Sequence, residues 1–180
     1  HKVIDPLFLD DLKEELDSIK ELKTIKTKKE KLEKFQQKLA SLTFLDPACG
    51  SGNFLTETYI SLRRLENEAI ELLQGDGQIQ FGFGDVIRVG INQFYGIEIN
   101  DFAVKVAMTS LWIAESQMMK ETEDIIHSQL KFLPLKSYVN IVEGNALHID
   151  WNNIVSKYQL NYIIGNPPFV GARLMNKEQK

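Results

Sequence analysis

From Thr43 onward the chain alternates short apolar runs with long helical stretches, and each apolar run stops in a polar turn. Thr43-Phe44-Leu45 is predicted as a strand that runs into Asp46-Pro47-Ala48-Cys49-Gly50-Ser51-Gly52-Asn53. A helix is predicted over 54–73. The second strand covers 94–99, with Glu98 near its carboxyl end, and a second helix covers 101–119. Ala103, Ala107, Ser110, Leu111 and Ala114 give that helix a small-residue side that can lie close to a sheet. The third strand, 137–142, leads to Glu143-Gly144-Asn145-Ala146-Leu147. The fourth, 161–164, ends in Gly165-Asn166-Pro167-Pro168-Phe169. Strands separated by helices imply a parallel sheet with right-handed crossovers. Ligands of such sheets gather beyond the carboxyl ends of the strands. All of these polar turns lie at those ends.

Residues 6–42 follow a different period. Leu9, Leu12, Leu16, Ile19, Leu22 and Ile25, then Leu32, Phe35 and Leu39, recur every three or four positions. This is the pattern of amphipathic helices, two of them, broken near 24–28. The expected organisation is a helical lead-in over 1–42 and an α/β core over 43–180. The glycine-rich stretch 74–89 reads as a loop or small hairpin set between units.

Composition narrows the possible functions. The chain is 43% hydrophobic and 26% charged, enough to bury a sizeable core. It has no apolar run of 18 residues, so no membrane span is expected, and a cytoplasmic location is. Cys49 is the single cysteine, which excludes a disulfide framework and a cysteine-rich zinc site. His1, His127 and His148 fit no ligand or general-base pattern, so no metal is expected. A net charge of −4 taken alone argues against nucleic acid. The charge is unevenly spread, however. Residues 1–40 hold ten lysines and nine acids, whereas the remainder holds eleven basic against sixteen acidic residues. The chain starts at His1 and stops soon after Phe169, and it reads as a piece of a longer protein. Its acidity therefore describes the piece. Lys26-Thr27-Lys28-Lys29 can touch phosphate, but a solvated helix face accounts for it as well.

Each strand end carries chemistry. Gly50 and Gly52 permit a tight turn against which a ligand can lie, and the following helix adds a positive partial charge. The third glycine of the dinucleotide fingerprint is missing, which counts against NAD. Glu98 is placed to accept hydrogen bonds from a ribose diol, or else to cap the next helix. Asn145 can contact an adenine edge or serve as an ordinary turn asparagine. Two prolines after Asn166 stop the last strand and fix a rigid loop. The Asn166 side-chain oxygen and the Pro167 carbonyl can then converge on one amino group, with Phe169 offering a flat face to a planar base.

The turn from Asp46 through Phe54 resembles the cofactor motif of amino-directed DNA methyltransferases. Asn166-Pro167-Pro168-Phe169 resembles the catalytic motif of those that methylate the N6 atom of adenine. The cofactor motif comes first, the order of the gamma class, and Tyr95-Gly96-Ile97-Glu98-Ile99 is similar to the ribose-binding strand of that class. Leu62-Arg63-Arg64-Leu65-Glu66 and 94–98 resemble single-chain, type IIG-like restriction–modification enzymes. The resemblance spans about 44–170. It implies a partial Rossmann-like, class I S-adenosylmethionine-dependent fold preceded by helices. It further implies that Asp46, Pro47, Ala48, Cys49, Gly50, Ser51 and Gly52, with Asn53 and Phe54, line the methionine part of S-adenosylmethionine. Glu98 would hold the ribose hydroxyls and Ile99 would pack on the cofactor's adenine. Asn145, with Ala146, stands where the family usually has aspartate. Asn166, Pro167, Pro168 and Phe169 would bind and stack the target adenine. Double-stranded DNA is the implied partner, gripped by a target-recognition domain elsewhere in the parent enzyme. The family's tyrosine–threonine segment upstream of the lead-in helices is absent. The same Asn-Pro-Pro-aromatic pattern also serves enzymes that methylate protein glutamine or RNA guanine. The piece alone would bind cofactor without catalysis.

Overall fold

The computed structural model describes residues 5–75, 86–130 and 139–166. Pro167, Pro168 and Phe169 lie outside the described residues. So do most of the glycine-rich stretch 74–89 and the first two positions of the predicted third strand.

The described elements, apart from short 3₁₀ turns at Ile91–Gln93 and Trp151–Asn153, are a π-helical turn at Asp5–Leu9, then α1 (Asp10–Lys20), α2 (Ile25–Ser41), β1 (Phe44–Asp46), α3 (Asn53–Gly75), β2 (Phe94–Glu98), α4 (Asp101–Ile126), β3 (Asn140–Glu143) and β4 (Tyr162–Ile163). The four strands form one sheet in the order β3-β2-β1-β4. Every pairing is parallel, as expected from the alternation. The chain leaves β1 towards β2 and β3, then returns to place β4 on β1's other side. The reversal of strand order therefore falls between β1 and β4, the position at which such sheets open a crevice.

Period-2 alternation sorts the strand residues onto two faces. Phe44, Phe94, Ile141 and Ile164 face the larger core, with Tyr162 packed against it, together with the apolar sides of α1 to α4. Leu45 and Ile97 face the other way, against Val155 and the half-buried Ala146, Trp151 and Ile154. Phe94 stacks on Phe44 with ring centroids 5.2 Å apart. Phe8 reaches Phe44 at 5.1 Å, so the lead-in shares its core with the sheet. Gln93, buried just before β2, donates from Nε2 to the carbonyls of Leu39 (2.9 Å) and Leu42 (2.7 Å). Those bonds satisfy carbonyls left open at the end of α2.

Beyond shifts of one to three residues at other element ends, two boundaries differ from the sequence expectation. The break between α1 and α2 falls at 21–24, so Lys26, Lys28 and Lys29 belong to the first turns of α2. Lys20, the last residue of α1, is pinned to Asp17 and Glu68, both at 2.6 Å. The helix predicted to end near 119 continues to Ile126. Glu121, Thr122, Glu123 and Asp124 look like a polar terminus. Thr122, however, is fully buried and receives a hydrogen bond from Arg63 Nη2 at 2.6 Å. That contact carries α4 two turns further along α3.

Candidate active site

β1 ends at Asp46, and Pro47 bars its continuation. The side chain of Asp46 turns back on the chain, its Oδ1 accepting from Ala48 N at 3.0 Å. Gly50 and Gly52 follow at φ +53° and +79°, left-handed conformations that side-chain-bearing residues resist. Gly52 has a second reason to be glycine, since a Cβ there would sit 2.9 Å from Ala107 Cβ on α4. The helix expected over 54–73 begins one residue earlier, at Asn53, and Gly52 O accepts the first helical N–H, from Thr56, at 2.8 Å.

Glu98 joins two of the strand ends. Its Oε2 accepts from Gly50 N and its Oε1 from Asn100 N, both at 2.9 Å. Asn100 then caps α4, accepting from Ala103 N at 3.1 Å. The cap of α4 is thus Asn100 and not Glu98, whose carboxylate oxygens each hold one backbone N–H and keep a lone pair. The N–H groups of Ala48, Cys49, Gly50 and Gly52 are all engaged internally, by Asp46, Ile97 O, Glu98 and Cys49 O. A pyrophosphate cradle needs such donors free, so these four do not supply one; of the two carboxylates, Asp46 is buried and Glu98 half-buried.

Register brings the other predicted residues alongside. Asp46 pairs with Gly96, and Glu98 with Glu143, whose neighbour Gly144 donates to Glu98 O at 2.8 Å. Asn145 follows. Its Oδ1 accepts from Leu147 N at 3.0 Å and its carbonyl takes His148 N, so its side-chain oxygen is partly used in shaping the turn. Trp151 Nε1 ties down Ala146 O at 2.8 Å. On β1's other side, Ile164 N donates to Leu45 O at 2.9 Å, and Gly165 and the exposed Asn166 continue past Asp46. The ends of β3, β2, β1 and β4 thus line one edge in that order, spanning roughly 14 Å at the usual strand spacing. Ser51 and Asn53 bond each other at the lip of the turn (3.2 Å), while Phe54 packs against the larger core.

Ile99 is 68% exposed at the end of β2. Two residues that sequence reasoning passed over share that edge, Phe102 at 76% and Leu147 at 89% exposed. Their signal was a large apolar residue in the first turn of a helix and in a strand-end turn, where polar residues are the rule.

Burial pushes the Asp46 carboxyl up from 3.8 to about 6; the Ala48 N–H opposes this and the Glu98 charge adds to it. The Cys49 thiol is pushed up to about 12 by burial, with Asp46 and Glu98 contributing, so it is an inert packing group. Because folded Asp46 holds its proton more tightly than the unfolded chain, it favours folding below pH 4. That contribution is lost as pH rises through 6. Asp46→Asn should therefore gain stability relative to the native sequence between pH 4 and 6.5, by roughly 2–3 kcal/mol. Urea unfolding of the two proteins across that range checks this, and a pH-independent difference contradicts it.

Comparison with known proteins bears on this geometry. The family described as MmeI, DNA-methyltransferase domain, matches residues 22–180. The chain belongs to that family. DNA methyltransferase A of Bacillus subtilis (strain 168) is 41% identical over 99% of this chain, which spans 20% of that protein. A putative type II restriction enzyme and methyltransferase of Methanocaldococcus jannaschii is 28% identical over 73% of the chain and 11% of the relative. The solved type IIL restriction–modification enzyme MmeI in complex with DNA superposes with a TM-score of 0.88 at 41% identity, covering 98% of this chain and 23% of that one. The chain thus spans about a fifth of the first of these relatives. Its sheet and helices form a Rossmann-like methyltransferase fold.

Proposed function

We propose that the protein transfers a methyl group from S-adenosylmethionine to the N6 amino group of adenine in double-stranded DNA, as the modification component of a restriction–modification enzyme. The observation that carries this reading is the meeting of Asp46, Glu98 and Asn166 along one sheet edge, at the reversal of strand order, in a member of a DNA-methyltransferase family. The turn's chemistry fits the cofactor. Glu98, half-buried, keeps lone pairs for hydroxyl groups, while the buried Asp46 fixes the turn behind it.

S-adenosylmethionine, when bound, supplies an electrophilic methyl on its sulfonium. Asp46 and the turn to Phe54 hold the methionine part, and Glu98 takes the ribose hydroxyls. Ile99, with Phe102 and Leu147, gives the purine an apolar seat. Asn145 offers its amide N–H groups and a remaining lone pair to the purine edge. On the target side, the Asn166 oxygen and Pro167 carbonyl accept the two amino N–H groups of adenine. This draws the nitrogen towards tetrahedral and aims its lone pair. Phe169 stacks on the base once it has left the duplex, a step that costs a few kcal/mol. Positioning and preorganised acceptors supply the rate gain.

Glu98→Gln puts an amide N–H opposite either Gly50 N or Asn100 N, so the turn loses an acceptor as well as a charge. Calorimetry of the full-length variant should show S-adenosylmethionine binding weakened by at least about tenfold. Unchanged affinity would remove Glu98 from the site. The activity itself is tested by tritium transfer from labelled S-adenosylmethionine to duplex DNA, protein and RNA in parallel. Label in DNA alone is expected; label in protein or RNA instead would replace this reading.

A further inference from the structure

We propose that Gly165 is a positioning residue for methyl transfer. Its bare α-carbon lets the Asp46 carboxylate lie against the backbone that carries Asn166, so that the cofactor turn and the target-binding asparagine keep a fixed separation. The inference rests on the reading of Asn166 given above.

β4 is only two residues long, and its last bond to β1 is Ile164 N to Leu45 O at 2.9 Å. Past that point, neither Gly165 nor Asn166 hydrogen-bonds to another described residue. Packing against Asp46 takes over. A Cβ on Gly165 would come 2.5 Å from Asp46 Oδ1, 3.0 Å from Cγ and 3.3 Å from Oδ2. Asp46 cannot retreat: it is 1% exposed, lies in β1, and its Oδ1 is held by Ala48 N at 3.0 Å. The half-buried, weakly tethered exit of β4 must give way instead, and it carries Asn166 with it. A displacement near 1 Å between reacting groups can lower a rate by about 100-fold. Asp46 thereby acts in two directions, towards the cofactor and, through Gly165, towards the target base.

The test is a double-mutant cycle in the full-length protein, comprising Gly165→Ala, Asp46→Ala and the pair. The readouts are kcat for methyl transfer to duplex DNA, S-adenosylmethionine affinity by calorimetry, and Tm. Gly165→Ala should lower kcat at least about tenfold while cofactor affinity stays within about threefold, because the β4 exit yields and the cofactor turn does not. With Asp46→Ala the obstructing atoms are gone, and adding Gly165→Ala should change kcat less than about twofold. If Asp46→Ala is itself too slow to measure, Tm reports the same coupling: Gly165→Ala lowers it beside Asp46 and not beside alanine. Equal losses in both backgrounds, or no loss in either, would overturn the inference. Loss of cofactor affinity in step with kcat would overturn it too. A wild-type protein that transfers no methyl to DNA, or an undiminished Asn166→Ala, would instead overturn the functional reading beneath it.

Discussion

Asn166→Ala in the full-length protein should lower the rate of methyl transfer by about 100-fold or more and leave S-adenosylmethionine affinity within about twofold. The separation of the two effects follows from where Asn166 lies. It is exposed beyond the end of β4 and hydrogen-bonds to no other described residue, so truncation removes nothing that holds the sheet together. The cofactor turn is fastened by other bonds, those of Asp46, Glu98 and Ile97. On the proposed reading, alanine takes away the acceptor that polarises the target amino group, an interaction stronger in the transition state than with the bound base. Steady-state kinetics at saturating DNA, paired with calorimetry, separates the two. A variant that methylates at the native rate contradicts the assignment of Asn166, and one that loses cofactor affinity in step with rate contradicts its placement on the target side.

Arg63→Met produces the largest expected loss of stability. Arg63 is fully buried between α3 and α4, and its guanidinium meets the equally buried Glu66 and, at 2.6 Å, Thr122 Oγ1. Glu66 Oε1 also accepts from Arg88 N (2.6 Å) and Val89 N (3.2 Å), which fixes the segment leading into β2. Removing one partner of such a pair strands a buried charge, at a cost of about 3–5 kcal/mol. For a domain of this size that lowers Tm by roughly 6–20 °C. The two N–H bonds to Glu66 place the expectation nearer the lower end. Adding Glu66→Gln to Arg63→Met removes the stranded charge but keeps an acceptor for Val89 N, so the double variant should be more stable than the single one. Calorimetric scans of both decide it; a double variant as unstable as the sum of its parts contradicts the coupling.

That network marks where sequence reasoning stopped. Arg63 and Glu66, three apart on a helix, read only as part of a family resemblance, because spacing reveals the shared side of a helix and not what covers it. The same blindness shortened α4, whose buried Thr122 sits among acids. The alternation of strands and helices was legible because period and turn residues are local properties. Asp46, Glu98 and Asn166 were legible as strand-end residues for the same reason. The order of strands was not, and with it the contact of Gly165 with Asp46, which joins positions far apart in the chain. Phe102 and Leu147 escaped because exposure of an apolar residue is a tertiary property. Asn145 was legible as a strand-end asparagine, but its bond to Leu147 N had to be seen. The lead-in helices were seen as amphipathic, though not as part of the core that Phe8 shares with Phe44.

On the proposed reading, this site directs a methyl group to the exocyclic nitrogen of adenine. The most direct test of that reading is nucleoside analysis by mass spectrometry, after the full-length protein has acted on unmodified duplex DNA with deuterated-methyl S-adenosylmethionine. The expected product is N6-methyl-2′-deoxyadenosine carrying the heavy methyl, formed about 100-fold more slowly with Asn166→Ala. Heavy methyl on cytosine or guanine, or on no nucleoside while the cofactor is consumed, would contradict it.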